Sequence, residues 1–343
     1  MDNIFSDALY RPFMCANLDI DHLLEPERFN ILRMQDLDVD SFNSKWSQIP
    51  FILTSPVKKW KAYNTWTFDS LRTRYHDVVF ATDVVDWPLK TYLEYMHHNE
   101  DESPLYLFDS KFMNKTELMG EYDTPCPFKE DLFSVFGRLR PEYAWLVIGP
   151  RRSGSTFHKD PNGTSAWNAV IKGTKYWLLV PPHLKPPGTH VSADHSEITT
   201  PLSLSEWMYG FFAERKLLQA CYEGICNPGE VLYVPTGWYH LVINLENTIA
   251  ITQNFVPRAS LTNAANFLRD QKDQVSGFAE CVKDPYELFR KRMRELRPEL
   301  LLHEGPSLLN SSLDSGLSVR RKKRHRTIDN ESTGRPPQFA FQF

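Results

Sequence analysis

From about residue 143 the apolar residues arrive in short runs, several of them separated by Gly or Pro. This spacing predicts strands at 143–149, 155–159, 165–171, 174–180, 230–234, 238–244 and 247–254. Many short strands with little helix between them favour a sandwich or barrel over a parallel sheet. The earlier part of the chain is mixed. Asp40-Ser41-Phe42-Asn43-Ser44-Lys45-Trp46 predicts a short capped helix, and Phe51-Ile52-Leu53-Thr54 a strand between Pro50 and Pro56. Thr67 to Leu71 opens another predicted helix, Asp77 to Ala81 is strand-like, and Pro88 to Met96 has helical spacing with Pro in its first turn. After 260 the pattern turns helical, over 261–272 and 285–296. Residues 304–343, rich in Ser, Arg and Pro, predict a disordered tail.

Composition adds limits. The 343 residues suffice for one large domain or two small ones. Nine Trp, 14 Tyr and 22 Phe suit a β-rich core with a concave pocket. No run of 18 or more apolar residues is present, and Met1-Asp2-Asn3-Ile4 does not begin a signal peptide, so neither membrane span nor secretion is expected. Five scattered cysteines without a C-x-x-C pair argue against a disulfide framework or a zinc ribbon and for reduced thiols in an intracellular protein. The net charge of −4 divides unevenly: residues 304–343 carry +3 and the remainder −7. An acidic body suits a basic peptide partner and makes nucleic-acid binding by the body unlikely, while the tail run Arg320-Arg321-Lys322-Lys323-Arg324-His325-Arg326 could contact nucleic acid or serve as a nuclear localisation signal.

The candidate chemistry begins at Thr156-Phe157-His158-Lys159-Asp160. On a strand, His158 and Asp160 share one face and Lys159 takes the other. A second histidine from a distant strand would complete two imidazoles and a carboxylate, the arrangement that holds non-haem Fe(II) with positions left open. The H-x-D spacing alone is weak, since it often arises by chance. His240, after Gly229-Glu230-Val231-Leu232-Tyr233-Val234-Pro235-Thr236-Gly237-Trp238-Tyr239, opens a strand and is the candidate third ligand; otherwise it is a satisfied histidine beside Trp238. His22, His76, His97, His98, His183, His190, His195, His303 and His325 have no such context and are read as surface residues.

The stretch Gly149 to Ala169, then Gly173-Thr174-Lys175-Tyr176-Trp177-Leu178-Leu179-Val180-Pro181-Pro182 and the strands from Gly229 to Phe255, resembles the jumonji-C (JmjC) oxygenases. The resemblance is to the phosphatidylserine-receptor-like subgroup of lysyl hydroxylases and arginine demethylases, and it covers roughly 90–256. It implies a mainly β (α+β) fold whose core is a double-stranded β-helix, a cupin-like jelly roll. The implied division is an N-terminal α/β region (1–100), a catalytic barrel (101–258), C-terminal helices (259–303) and the basic tail (304–343). It implies Fe(II) held by His158, Asp160 and His240, with 2-oxoglutarate and O2 as co-substrates. A dicarboxylate inside an apolar barrel needs a fixed cation. Lys175, on the strand following the metal-binding one, could supply it, with hydroxyls from Thr252 and Tyr106 and the amides of Asn168 and Asn244 around the pocket.

The resemblance further implies hydroxylation of a protein side chain, most simply lysyl. N-methyl demethylation of a lysine or arginine is the alternative by the same chemistry, and an inactive binding scaffold the alternative of another class. A cupin using the cage for zinc or manganese would leave Lys175 and Thr252 without a dicarboxylate to hold. Lys159, Arg151 and Arg152 would repel a basic substrate if they lined the mouth. A homodimer through 261–296 and residence in the nucleus, or also the cytoplasm, complete the expectations.

Overall fold

The computed structural model describes residues 14–301 apart from 16, 193–197, 202 and 219. The tail at 304–343 with its basic run, and likewise His195, His303 and His325, lie outside the described residues.

The first part of the chain forms β1 (Leu32–Met34), β2 (Phe51–Leu53), a hairpin of β3 (Val79–Ala81) and β4 (Asp86–Pro88), and β5 (Leu107–Asp109). Next come β6 (Ala144–Gly149), β7 (Gly154–His158), β8 (Ser165–Lys172) and β9 (Lys175–Val180). A two-residue hairpin, β10 (His190–Val191) with β11 (Ile198–Thr199), precedes β12 (Tyr222–Cys226), β13 (Val231–Val234), β14 (Tyr239–Asn244) and β15 (Thr248–Phe255). The seven strands predicted after residue 143 fall within one residue of β6–β9 and β13–β15.

Apart from the pairs β3–β4 and β10–β11, the strands make two sheets, ordered β1-β2-β13-β8-β15-β6-β5 and β12-β9-β14-β7. All pairings within them are antiparallel except that of β1 with β2. The N-terminal region does more than cover the barrel, because β2 pairs with β13 and extends the larger sheet. Phe51, Ile52 and Leu53 are fully buried, which makes this short run a two-faced core strand.

Period-two alternation assigns each side chain to a layer. Ala166, Val170, Leu232 and Val234 from the larger sheet meet Trp177, Leu179 and Val242 from the smaller one in a single interior cluster. The alternate residues of the larger sheet, among them Leu146, Ile148, Ala169 and Ile251, pack beneath the helices Phe68–Tyr75 and Leu89–His98. Those of the smaller sheet, such as Tyr176, Leu178 and Leu241, pack against Trp207 and Met208 of the helix Leu204–Gly210. Each buried aliphatic or aromatic side chain stabilises by about 1.5–3 kcal/mol. With helical or loop cover on both outer faces, the central strands β6, β9, β13 and β14 are buried along their whole length, and the few polar residues that face inward stand out.

β12 was not among the predicted strands. Its Glu223 and Gly224 break the apolar run, yet Glu223 is buried on the outer face of the small sheet. There it accepts from Arg28 Nε at 2.7 Å, Arg215 Nε at 3.0 Å and the Tyr176 hydroxyl at 2.7 Å. A C-terminal layer closes one end of the fold: Leu261, Leu268, Phe289 and Met293 from the helices Leu261–Asp270 and Pro285–Leu296 pack on Leu132, Phe133 and Phe136.

Candidate metal and co-substrate site

His158 ends β7 and His240 sits opposite it on β14, where the two strands pair. Asp160 lies just beyond the ladder, on extended backbone (φ −64°, ψ 143°) before the turn Pro161–Gly163. That conformation keeps the alternation going, so His158 and Asp160 still converge. Ligand atoms of His158, Asp160 and His240 lie within 4.8 Å of one another, and the two imidazole centroids are 4.1 Å apart.

Each imidazole is oriented by its own strand. Nδ1 of His158 donates to the Thr156 carbonyl at 2.8 Å, and Nδ1 of His240 to the Trp238 carbonyl at 3.2 Å. This assignment leaves the Nε2 lone pair of both rings directed into the site, as a metal ligand requires. Trp177 stacks on His240 at 6.1 Å. Asp160 Oδ1 accepts from Asn254 Nδ2 at 3.3 Å, whereas the buried Oδ2 has no hydrogen-bond partner among the described residues.

Burial dominates the electrostatics. It draws His158 down to about 4, helped by the neighbouring His240 and opposed by Asp160, and draws His240 down to about 4. Burial also raises Asp160 to about 6. Two neutral imidazoles and a carboxylate with one oxygen unmatched form a donor set suited to a divalent cation, which would supply the missing partner.

Four residues along β14 from His240, about 13 Å at strand rise, the interior becomes polar again. Lys175 is fully buried; its Nζ donates to the Tyr106 hydroxyl at 2.7 Å and to Asn244 Oδ1 at 2.8 Å. Asn244 Nδ2 in turn donates to Ser153 Oγ at 2.8 Å. No carboxylate pairs with Lys175 among the described residues, and burial draws its amine down to about 7. Gly149 presses on the same cluster: a Cβ there would meet Ser153 Oγ, Tyr106 Cδ2 and Asn244 Nδ2 at 2.3–2.6 Å.

The structure therefore places Lys175, Tyr106 and Asn244 in contact. Thr252 and Asn168 also face the interior, side by side on β15 and β8. The Thr252 hydroxyl donates to the Trp167 carbonyl at 3.1 Å and is not hydrogen-bonded to Lys175. Asn168 Oδ1 is buried without a hydrogen-bond partner among the described residues. Lys175 lies on β9 and not, as expected, on the strand that directly follows β7 in the chain, since β8 intervenes.

The basic residues near the ligands do not crowd the interior. Arg151 pairs with Asp21 at 3.0 Å and Asp19 at 3.6 Å, and Arg152 donates to the Asp101 carbonyl. Lys159 lies 4.2 Å over the ring of Tyr239, on the outer face. His22, His76, His97, His98, His183 and His190 are exposed.

Sequence reasoning missed Asn254, Ser153, Gly149 and Trp177. Asn254 was open to detection, because it lies two residues beyond Thr252 on the same face of one strand. Ser153 and Gly149 carry no such mark, since their part depends on the turn between β6 and β7.

Residues 145–255 match the family described as "JmjC domain, hydroxylase". The chain is 42% identical over 305 residues to the arginine-specific demethylase JMJ22 of Arabidopsis thaliana, covering 86% of this chain and 60% of that protein. It is 34% identical over 307 residues to the bifunctional arginine demethylase and lysyl-hydroxylase psr-1 of Caenorhabditis elegans, covering 81% and 72% respectively. To the 2-oxoglutarate and iron-dependent oxygenase JMJD4 of Danio rerio it is 29% identical over 218 residues, 60% of this chain and 50% of that one. It spans only 28% of the length of the lysine-specific demethylase JMJ21 of Arabidopsis thaliana. With its paired sheets, its inward His-Asp-His trio and these relatives, the chain belongs to the JmjC-domain family.

Proposed function

We propose that the protein is an Fe(II)- and 2-oxoglutarate-dependent oxygenase that hydroxylates a protein side chain, most simply that of lysine. The observation that carries this is the barrel interior. Among the described residues, an unmatched carboxylate oxygen and two oriented imidazoles occupy one part of it, and a buried ammonium without a counter-ion lies about four residues away along β14. His158, Asp160 and His240 would hold the metal, and Lys175 with Tyr106 would bind the distal carboxylate of 2-oxoglutarate. Bound Fe(II) supplies O2 activation coupled to decarboxylation of 2-oxoglutarate to succinate and CO2.

The chain's own residues orient and shield. The Thr156 and Trp238 carbonyls fix the imidazoles, and Asn254 steadies Asp160. Trp177, Leu179 and Val242 keep the intervening interior apolar, which strengthens the ion pair that Lys175 would form. Asn168, with its unpartnered oxygen, and Thr252 complete the pocket as polar groups facing the ligands.

Because the same oxidation of an N-methyl group ends in demethylation, arginine demethylation is the second reading. The names of the Arabidopsis and Caenorhabditis relatives favour it. Incubation of basic peptides with the enzyme separates the two: hydroxylation gives a stable product one oxygen heavier, and demethylation releases formaldehyde. Asp160→Ala should abolish succinate formation in either case; full turnover in that variant would remove the ligand assignment.

The proposal includes the division at 1–100, 101–258, 259–303 and 304–343. It includes a homodimer through 261–296, testable by light scattering, and nuclear residence. The basic run 320–326 supports the last, and deletion of that run should abolish nuclear enrichment. Among the described residues no helix is long and apolar enough to cross a membrane.

A further inference from the structure

The loop that carries Asp160 is held from two sides. Inside the barrel Asn254 Nδ2 bonds Asp160 Oδ1 and also Thr164 Oγ1, at 3.0 Å. On the other side is Asn162, buried, with a φ of 56°. Asparagine enters this left-handed region more readily than most residues. Its amide pairs reciprocally with one backbone residue: Nδ2 donates to the Ser276 carbonyl and Oδ1 accepts from the Ser276 N–H, both at 3.0 Å. Ser276 belongs to the segment that follows the helix Leu261–Asp270. Gly163 draws the same loop against that helix, since a Cβ at this residue would lie 3.0 Å from Phe267 Cβ.

A side chain that donates to the carbonyl and accepts from the N–H of one residue reproduces a strand-like bridge. It fixes the distance and the direction of approach together. The Asp160 loop is thus docked onto the C-terminal layer, and its position depends on where that layer sits.

We propose that Asn162 is a positioning residue for the metal centre: through its pair with Ser276, the C-terminal layer sets the presentation of Asp160 and hence the retention of the metal. This rests on the reading of His158, Asp160 and His240 as ligands. Asn162 does not itself reach the metal. Loosening of residues 272–278, by mutation or by a partner engaging the C-terminal helices, would lower metal affinity without touching a ligand.

The test uses the full chain, stripped of metal and titrated with Co(II), whose visible spectrum reports binding without turnover. Asn162→Gly keeps the left-handed backbone accessible and removes both hydrogen bonds. The expected result is Co(II) binding weaker by about tenfold or more, the effect typical of losing an outer partner of a metal ligand. The rise in Tm on adding Co(II) should shrink in step. Asn162→Asp, which keeps the acceptor for the Ser276 N–H but loses the donor, should fall between. If Asn162→Gly lowers Tm yet binds Co(II) within about twofold of the parent, the pair is only structural and the inference is overturned. If His158→Ala leaves Co(II) binding of the parent protein unchanged, the ligand reading fails, and this inference with it.

Discussion

Lys175→Met tests whether the buried ammonium is there for a ligand or for the fold. The side chain is fully buried and has two neutral partners and no counter-ion among the described residues. Burial draws it from its ordinary 10.5 down to about 7. At ~1.4 kcal/mol per factor of ten, the protein without 2-oxoglutarate bears a cost of roughly 4–5 kcal/mol at pH 7 from this one group. The sign follows from proton uptake: between about 7 and 10.5 the unfolded chain binds the proton that the folded chain has released. Stability therefore rises with pH through that window, and the full cost applies below it. Methionine preserves the unbranched shape and removes the charge. It also strips one donor from the Tyr106 hydroxyl and one from Asn244 Oδ1, at about 1 kcal/mol each. The net expectation is a variant more stable than the parent by roughly 2 kcal/mol at pH 7, which raises Tm by about 3 °C. Its stability should not rise between pH 7 and 10 as the parent's does.

The parent should gain about 2.7 kcal/mol from 2-oxoglutarate at a hundred times its Kd, and the variant almost none. Thermal melts with and without 2-oxoglutarate, on protein loaded with Mn(II) to prevent turnover, read both effects. A variant less stable than the parent in the absence of 2-oxoglutarate, or one that keeps the 2-oxoglutarate-dependent rise in Tm, would refute the reasoning.

Gly149→Ala should raise the KM for 2-oxoglutarate and destabilise by about 1–3 kcal/mol, because the new methyl overlaps Tyr106, Asn244 and Ser153; an unchanged KM in steady-state assays would show that this contact does not position Lys175. Asn254→Ala removes the only hydrogen bond given to Asp160 Oδ1 by a side chain among the described residues, and metal affinity measured by Co(II) titration should drop by about 10–100-fold. Glu223→Ala leaves Arg215, which is 1% exposed, without its buried partner, at a cost of about 3–5 kcal/mol in urea unfolding. Since Glu223 faces away from the barrel interior, 2-oxoglutarate affinity should be unchanged in that variant, and a large change would contradict the layer assignment.

Much of the barrel was legible because each strand is short, apolar and punctuated. Lys175 and Asn244 were singled out through the family resemblance, and the structure places them together in the interior. The limits have physical causes. β12 carries Glu223 and Gly224, whose fit depends on Arg28 and Arg215 arriving from elsewhere in the chain. β1 has a mixed pattern, and that this region joins the larger sheet shows only in the pairing of β2 with β13. The bond from the Thr252 hydroxyl to the Trp167 carbonyl is set by register rather than residue type. The role of Asn162 depends on a positive φ and on Ser276, 114 residues away, which no local pattern encodes.

The pairing of β2 with β13 joins segments about 180 residues apart, and that of β7 with β14 joins segments about 80 apart. On a ribosome, which releases the chain from its N-terminus, the strand Phe51–Leu53 emerges long before its neighbour exists. His158 and Asp160 likewise wait for His240. A chain not yet extended through β14 lacks one of the three proposed ligands and leaves apolar strand edges uncovered. With His158, Asp160 and His240 as the proposed ligands, metal would load only after β14 has paired beside β7.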